Sequence, residues 1–127
     1  MPVTLKELMA RANDAVPRIS PAEAKQKAQD EDVLFLDIRD ASEVQQSGKI
    51  KGAVHVPRGM LEFCCDPGSP AHNAALDKAK CVILYCGSGG RAALAGLTLK
   101  DMGFGEVYNL GGFKDWAEAG HECEPAG

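Results

Sequence analysis

The sequence predicts a single α/β domain in which helices flank a mainly parallel sheet. Two apolar runs, residues 33–36 and 82–85, are typical of strands that are buried on both faces. Strand patterns alternate with helical patterns along the chain, which favours crossover connections and a parallel sheet. The chain has 127 residues and is 45% hydrophobic, so it is long enough and apolar enough to form one core.

The first part of the chain predicts two helices. Residues 4–16 place apolar side chains at helical spacing, and Pro17 ends this first helix. We interpret it as a helix packed on the flank of the domain rather than as a helix that binds a partner. A short strand is expected around residues 18–19. Ser20 and Glu23 then form a capping box, which begins the second helix.

The middle of the chain predicts two strands and a short helix. The apolar run at 33–38 predicts the first long strand. Asp40 and Glu43 repeat the capping pattern before a short helix, which Gly48 terminates. Residues 53–56 predict a further strand, and a proline stops it.

The last part of the chain predicts a helix, a strand and a second helix. Residues 91–102 form an Ala/Leu-rich helix that Gly103 caps. The strand at 106–110 leads into a short helix at 113–119, with Trp116 turned toward the core.

The segment around which these elements are arranged is the loop that follows the strand at 82–85. It consists of Cys86, Gly87, Ser88, Gly89, Gly90 and Arg91. Such a glycine-rich loop lets backbone N–H groups converge above a helix N-terminus, where the helix dipole also favours an anion. We therefore expect the loop to stabilise the thiolate of Cys86 and favour a nucleophilic cysteine over a structural one, because sites in open α/β sheets lie at the carboxyl ends of strands.

Several motifs resemble the single-domain rhodaneses, which are sulfurtransferases that carry a persulfide. Residues 86–91 match the pattern Cys-x-x-Gly-x-Arg, and residues 36–39 are similar to the Leu-Asp-Val-Arg strand end of the family. Residues 48–57 are similar to its Gly-His-Ile-x-Gly-Ala-x-His-Ile-Pro segment, with Lys49 in place of the first histidine. Residues 103–116 are similar to its closing Gly-Phe…Leu-x-Gly-Gly…Trp pattern. The resemblance covers about residues 19–120 and implies a three-layer domain with a five-stranded, mainly parallel sheet.

The resemblance implies a sulfurtransferase in which Cys86 takes sulfur from a small anionic donor such as thiosulfate and passes it to a thiol or to cyanide. The substrate-binding residues would then be the rest of the loop and one further arginine: Gly87, Ser88, Gly89, Gly90, Arg91 and Arg58. Arg58 lies just past a strand end, where it could assist Arg91 or pair with Glu62, four residues on. We expect no metal and no organic cofactor.

Asp37 and Arg39 are expected to give structural support. A carboxylate in a buried strand must find donors or a cation. Asp37 could be a general base near Cys86 or a fastener of the sheet edge, and the resemblance favours the fastener. We expect Arg39 to point to the opposite face, so that Asp37 is held by backbone N–H groups or other loops. His55 is interpreted as structural.

The five cysteines show no Cys-x-x-Cys pair and no regular spacing, so a disulfide scaffold and a zinc site are not expected. Cys81 begins the strand that Cys86 ends, and the two sulfurs should lie too far apart to bridge. Cys64 and Cys65 are interpreted as small apolar fillers, although one of them could be a resolving thiol. Cys123 falls in a polar tail.

Composition and charge indicate which kinds of partner and which cellular compartment to expect for this protein. The net charge is −4 and the basic residues are scattered, which is not the pattern of a nucleic-acid-binding protein. No apolar run is long enough for a membrane span and no secretory leader is evident, so we expect a cytoplasmic protein. We expect a helical extension at 1–17, the domain at 18–120 and a flexible tail at 121–127; oligomeric state is not predicted.

Two other functions stay open. One is phosphatase or arsenate reductase chemistry on a related loop, but the loops of dual-specificity phosphatases are one residue longer than this one and enclose a tetrahedral oxyanion. The other is a non-catalytic rhodanese-like module used for binding or regulation. Such modules generally lack the loop cysteine, which this chain keeps.

Overall fold

The computed structural model describes residues 2–77 and 81–126. Within these ranges the helices that the sequence predicts are present, with small shifts at their ends, and a further short helix, Leu61–Cys65, follows the strand Val54–His55. The helices are α1 (Leu5–Ala15), α2 (Pro21–Asp30), α3 (Ala41–Ser47), α4 (Leu61–Cys65), α5 (Gly90–Asp101) and α6 (Phe113–Glu118). The strands are β1 (Val33–Asp37), β2 (Lys49–Ile50), β3 (Val54–His55), β4 (Cys81–Cys86), β5 (Glu106–Gly112) and β6 (Cys123–Glu124). Short 3-10 helices cover Arg58–Met60 and Ala74–Leu76.

The main sheet is parallel, with the strand order β3-β1-β4-β5. The predicted α/β class is confirmed, but the described sheet has four strands where the resemblance implied five. A single bridge between Arg18 and Asn109 extends the sheet beyond β5. The backbone around Arg18 forms hydrogen bonds like those of a parallel strand. The N–H of Ile19 donates to the carbonyl of Asn109, and the N–H of Asn109 donates to the carbonyl of Pro17. The expected strand at 18–19 is thus reduced to one bridged residue.

A second, two-stranded sheet pairs β2 with β6 in antiparallel orientation. Its outer strand falls within the tail that the sequence predicts to be flexible. In the structure, Glu124 forms an ion pair with Lys49 and accepts a hydrogen bond from the N–H of Gly52. The indole N–H of Trp116 also donates to the carbonyl of Glu122 at 3.0 Å, which attaches the tail to α6.

The core lies on both faces of the main sheet, and β4 runs through its centre with all six residues buried. Alternate side chains of β4 therefore enter two separate apolar clusters. One cluster contains Val82, Leu84 and Cys86 and reaches α1 and α5, whereas the other contains Ile83 and Tyr85 and reaches α2 and α6. Strand β4 thus places Cys86 at the carboxyl end of the parallel sheet.

Helix α1 packs against α5, in agreement with its interpretation as a flanking helix. The contact is close at Gly96, where an added Cβ would lie 2.9 Å from both methyl groups of Val16. Within residues 2–77 and 81–126, no helix is long and apolar enough to cross a bilayer.

Candidate active site

Cys86 is the last residue of β4 and only 1% of its surface is exposed. The chain turns immediately after it, and the N–H of Gly89 donates to the Cys86 Sγ at 3.0 Å. Gly89 is the N-cap of α5 and has a φ of 105°, a left-handed conformation that favours glycine. The sulfur therefore accepts a backbone hydrogen bond at the N-terminus of a helix, as the sequence predicts for this loop.

The wall behind the loop is made of glycine backbone from the end of β5. A Cβ on Gly112 would lie 2.3 Å from the carbonyl oxygen of Gly87. The loop can therefore approach β5 this closely only because Gly112 has no side chain.

Asn109 contacts the loop from β5, and sequence reasoning gave it no role. Its side chain is 1% exposed, its Nδ2 donates to the carbonyl of Gly89 at 3.0 Å, and its Oδ1 accepts from the N–H of Gly111 at 2.8 Å. The side chain thus ties the loop to β5. The sequence does contain one indication of this contact, because Asn109 is an amide residue in a predicted strand that is otherwise apolar. A buried amide needs hydrogen-bond partners, so a contact with another segment could have been expected.

Arg91 lies at the first turn of α5, and its guanidinium forms a two-pronged ion pair with Glu43 of α3. The two nitrogen–oxygen distances are 2.6 and 3.0 Å. The sequence predicts Arg91 as an anion ligand but gives no role to Glu43 beyond capping α3. The hydrogen bond from Arg91 lowers the pKa of Glu43 from its usual 4.5 to about 2, and the same contact raises the pKa of Arg91. The positive charge of Arg91 is thus offset by a carboxylate.

The Glu43 pKa predicts a specific pH dependence of stability. Because the pKa is lower in the folded protein, the pair stabilises the fold above about pH 4.5 and loses that effect as the pH falls through about 2. The side chains of Arg91 and Glu43 are 40% and 35% exposed, so solvent screening limits the contribution to about 1 kcal/mol or less. Unfolding of the wild type and of Glu43→Gln should differ at neutral pH and converge near pH 2. Glu118→Gln is the control, and a difference that does not change with pH would contradict the prediction.

Arg39 and Asp37 form a buried ion pair, which corrects the expectation that they face opposite ways. The Arg39 Nη2 lies 2.8 Å from the Asp37 Oδ2, and the two side chains are 4% and 0% exposed. Residues two apart on an extended chain share a face, which is the physical reason for the correction. One part of the expectation holds, since the backbone N–H of Arg39 also donates to Asp37 at 3.0 Å.

The other partners of Arg39 lie at the end of α3 and on α6, an arrangement expected of a fastener rather than of a general base. Its guanidinium donates to the hydroxyl of Ser47 at 2.8 Å and to the carbonyl of Gly48 at 2.7 Å. It also lies over the ring of Phe113, 4.5 Å from the centroid. Asp37, held by Arg39, therefore connects β1 to the end of α3 and to α6.

The structure pairs Arg58 with Glu62, which is one of the two alternatives left open by the sequence. One terminal nitrogen lies 2.9 Å from Glu62, and the other donates to the Thr98 hydroxyl at 3.2 Å. Thr98 is seven residues beyond Arg91 on α5, a rise of about 10 Å along the helix. The guanidinium of Arg58 is therefore directed toward the middle of α5 and not toward the loop.

All five cysteines are free thiols, and of the four other than Cys86 two are buried, namely Cys65 and Cys81. Cys81 begins β4, and burial raises the pKa of its thiol to about 11. Burial likewise raises the pKa of the Cys65 thiol to about 11. Cys65 lines a surface cavity together with Gly105, which precedes the β5 residue paired with Cys81. Cys65 thus lies toward the end of the sheet opposite Cys86, which agrees with a filler role.

His55 has the structural role that the sequence indicates. Its Nε2 lies 2.7 Å from the backbone carbonyl of Arg39. Lys49, which stands where the family has histidine, donates to the carbonyl of Ala53. Both side chains therefore hold backbone of neighbouring elements.

The fold and the site together define a class of small α/β protein with a parallel sheet. In this class, the cysteine of one loop accepts a backbone hydrogen bond at the N-terminus of a helix. The chain belongs to the rhodanese-like domain family, whose model matches residues 20–119. A sulfurtransferase of Allochromatium vinosum is 36% identical over 94 residues, which are 73% of this chain and 79% of the relative. A thiosulfate sulfurtransferase of Coxiella burnetii is 30% identical over 100 residues, covering 78% of this chain and 85% of the relative.

A solved structure from Rhodopseudomonas palustris is also similar to this chain. It has 37% sequence identity and a TM-score of 0.85, and the match covers 98% of this chain and 99% of that one. That protein is of unknown function and is named as a possible tyrosine phosphatase.

Proposed function

We propose that the protein is a sulfurtransferase that carries sulfane sulfur as a persulfide on Cys86. The observation that carries the proposal is the hydrogen bond from the Gly89 N–H to the Cys86 Sγ. A donor aimed at the sulfur from a helix N-terminus stabilises a negative charge there. That charge is present both on the thiolate and on the persulfide, so the same loop serves both halves of a transfer reaction.

In the first half, the Cys86 thiolate attacks the outer sulfur of a donor such as thiosulfate. A sulfur–sulfur bond forms to Cys86 while the bond between the outer sulfur and the sulfonate sulfur breaks with its electron pair. Sulfite leaves as a dianion, and the enzyme keeps the persulfide anion. Charge and atoms balance without an external oxidant, and no metal is needed for the step.

In the second half, a thiolate or cyanide attacks the terminal sulfur of the persulfide. The new bond forms as the bond to Cys86 breaks, so thiocyanate or an acceptor persulfide leaves and the Cys86 thiolate is restored. A covalent intermediate between two substrates gives ping-pong kinetics. Gly87, Ser88, Gly89 and Gly90 would supply backbone N–H groups to both sulfurs.

The length of the loop favours sulfur transfer over phosphoryl transfer. Four residues lie between Cys86 and Arg91, one fewer than in the dual-specificity phosphatases, whose loop encloses a tetrahedral oxyanion. The shorter loop fits the single sulfur atom that is transferred. Arg91 is paired with Glu43, so its charge is partly offset. We therefore expect Arg91 to assist the donor's sulfonate through the N–H groups that Glu43 leaves free.

The proposal predicts a mass change that depends on one residue. Incubation with thiosulfate should add one sulfur, about 32 Da, to the intact protein. Cyanide or dithiothreitol should remove the added mass. Cys86→Ser should show no gain, whereas Cys81→Ser, a change at the other end of the same strand, should gain sulfur like the wild type.

The alternatives give different results in the same experiment. A gain with a persulfide donor but not with thiosulfate would keep the transfer reaction and change the donor. No gain with either donor would overturn the proposal in favour of a binding module. Hydrolysis of p-nitrophenyl phosphate that is lost in Cys86→Ser would indicate a phosphatase instead.

A further inference from the structure

We propose that Arg18, just before the family-matched region, is a positioning residue that acts on Cys86 through the peptide between Ser88 and Gly89. The inference rests on the proposed function only in taking the Cys86 sulfur as the reacting atom. Arg18 lies between α1 and α2, and its backbone forms the bridge to β5. Sequence reasoning gave it no role.

The guanidinium of Arg18 lies against the outside of the loop. Its Nη2 donates to the carbonyl of Ser88 at 3.4 Å. A Cβ on Gly89 would lie 2.8 Å from its Nη1, and a Cβ on Gly111 would lie 2.4 Å from its Nη2. Two residues without side chains thus leave the space in which the planar guanidinium rests. The guanidinium therefore packs closely against the backbone of Gly89 and Gly111, although Arg18 as a whole is an exposed residue.

The carbonyl that Arg18 contacts and the N–H that reaches the sulfur belong to one peptide group. The Ser88 carbonyl accepts from Arg18, and the N–H of Gly89, on the other side of the same amide, donates to the Cys86 Sγ at 3.0 Å. A cation at the carbonyl polarises the amide and makes its N–H a stronger donor, because hydrogen bonds in a chain reinforce one another. Arg18 also holds the carbonyl outward, which keeps the N–H turned toward the sulfur.

The charge of Arg18 matters for the Cys86 sulfur because the other charged groups near the loop are mostly carboxylates. From α5, Arg91 faces the loop, but Glu43 of α3 offsets it. Asp40, at the start of α3, adds a negative charge close enough to act on Arg91. From α6, the Asp115 carboxylate would lie 3.5 Å from a Cβ on Gly112. Arg18 makes no ion pair within the described part of the chain, so its charge is available to offset this negative surplus.

The experiment measures how fast iodoacetamide alkylates Cys86 as a function of pH, in the full-length wild type, Arg18→Gln, Arg18→Lys and Arg11→Gln. Tandem mass spectrometry assigns the label to Cys86, because its fragment ions distinguish Cys86 from Cys81 on the same tryptic peptide. Arg11 is an exposed arginine on α1, so its variant has the same net charge as Arg18→Gln. Alkylation needs no sulfur donor, so the result does not depend on whether the protein transfers sulfur.

We expect Arg18→Gln to alkylate about three- to tenfold more slowly than the wild type on the acidic limb of the profile, as for one charge acting across one peptide unit. The pH midpoint should move up while the plateau rate at high pH stays the same. Arg18→Lys should lie between the two, and Arg11→Gln should match the wild type. The difference should shrink in about 1 M salt, where charges are screened over about 3 Å.

Two results would overturn the inference. One is an Arg18→Gln profile that coincides with the profiles of the wild type and Arg11→Gln. The other is a lower plateau with an unchanged midpoint, which would mean that Arg18 only keeps the loop in place. If Arg18→Gln proves poorly folded by thermal unfolding, Arg18→Lys and the salt dependence of the wild-type profile test the same charge.

Discussion

Replacement of Arg39 by alanine is expected to lower the free energy of unfolding by about 3–5 kcal/mol, because it leaves a buried carboxylate without its cation. Asp37 is fully buried and takes three hydrogen bonds from the Arg39 guanidinium. The loss is large compared with the roughly 5–15 kcal/mol that stabilises a typical domain. Denaturant unfolding monitored by circular dichroism measures it directly.

Two further variants distinguish the charge from the packing. Arg11→Ala, which removes an exposed arginine from α1, should change the free energy of unfolding by about 0.5 kcal/mol or less. The double variant Asp37→Asn/Arg39→Leu should be more stable than Arg39→Ala, because no uncompensated charge remains in the core. If Arg39→Ala and the double variant were equally unstable, the lost stability would come from the contacts of Arg39 with Ser47 and Gly48 instead.

Replacement of Gly112 by alanine is expected to slow persulfide formation on Cys86 by about 100-fold, since a shift of about 1 Å at a reacting group can have that effect. The φ of Gly112 is −101°, a value that alanine adopts readily, so the backbone of β5 is not strained. The added methyl group would instead lie 2.3 Å from the carbonyl oxygen of Gly87. The loop must move away, and the Gly89 N–H would move with it. Stopped-flow or quenched mass measurements with thiosulfate give the rate.

Gly105→Ala is the matched control, because nothing lies within 4 Å of a Cβ placed there. It should react at the wild-type rate. The expected cost of Gly112→Ala to stability is about 1–3 kcal/mol, typical of overpacking, so the variant should remain folded. A folded Gly112→Ala that forms the persulfide at the wild-type rate would show that the loop tolerates this displacement.

The sequence by itself determined the framework and the position of the proposed nucleophile, Cys86. The apolar run at 82–85 identifies a strand with both faces covered, and β4 is buried throughout. The change from this apolar run to a glycine-rich segment predicts that Cys86 ends the strand and that the chain then turns into α5. Local conformational preference and burial determine both features, and each can be recognised from residues that are adjacent in the sequence.

The partners of the charged side chains were decided only by the tertiary structure. Glu43 reads as a helix cap in the sequence, yet it lies 48 positions from the Arg91 that it neutralises. Arg18 and Asn109 come from opposite ends of the chain, and both reach the loop because the segment before α2 lies beside β5. Residues so distant in the chain meet only after the sheet has ordered, and no local pattern encodes which polar groups will then be adjacent. Burial of apolar side chains selects the fold, whereas the charge around Cys86 depends on how α3, α6 and the segment before α2 pack around that one loop.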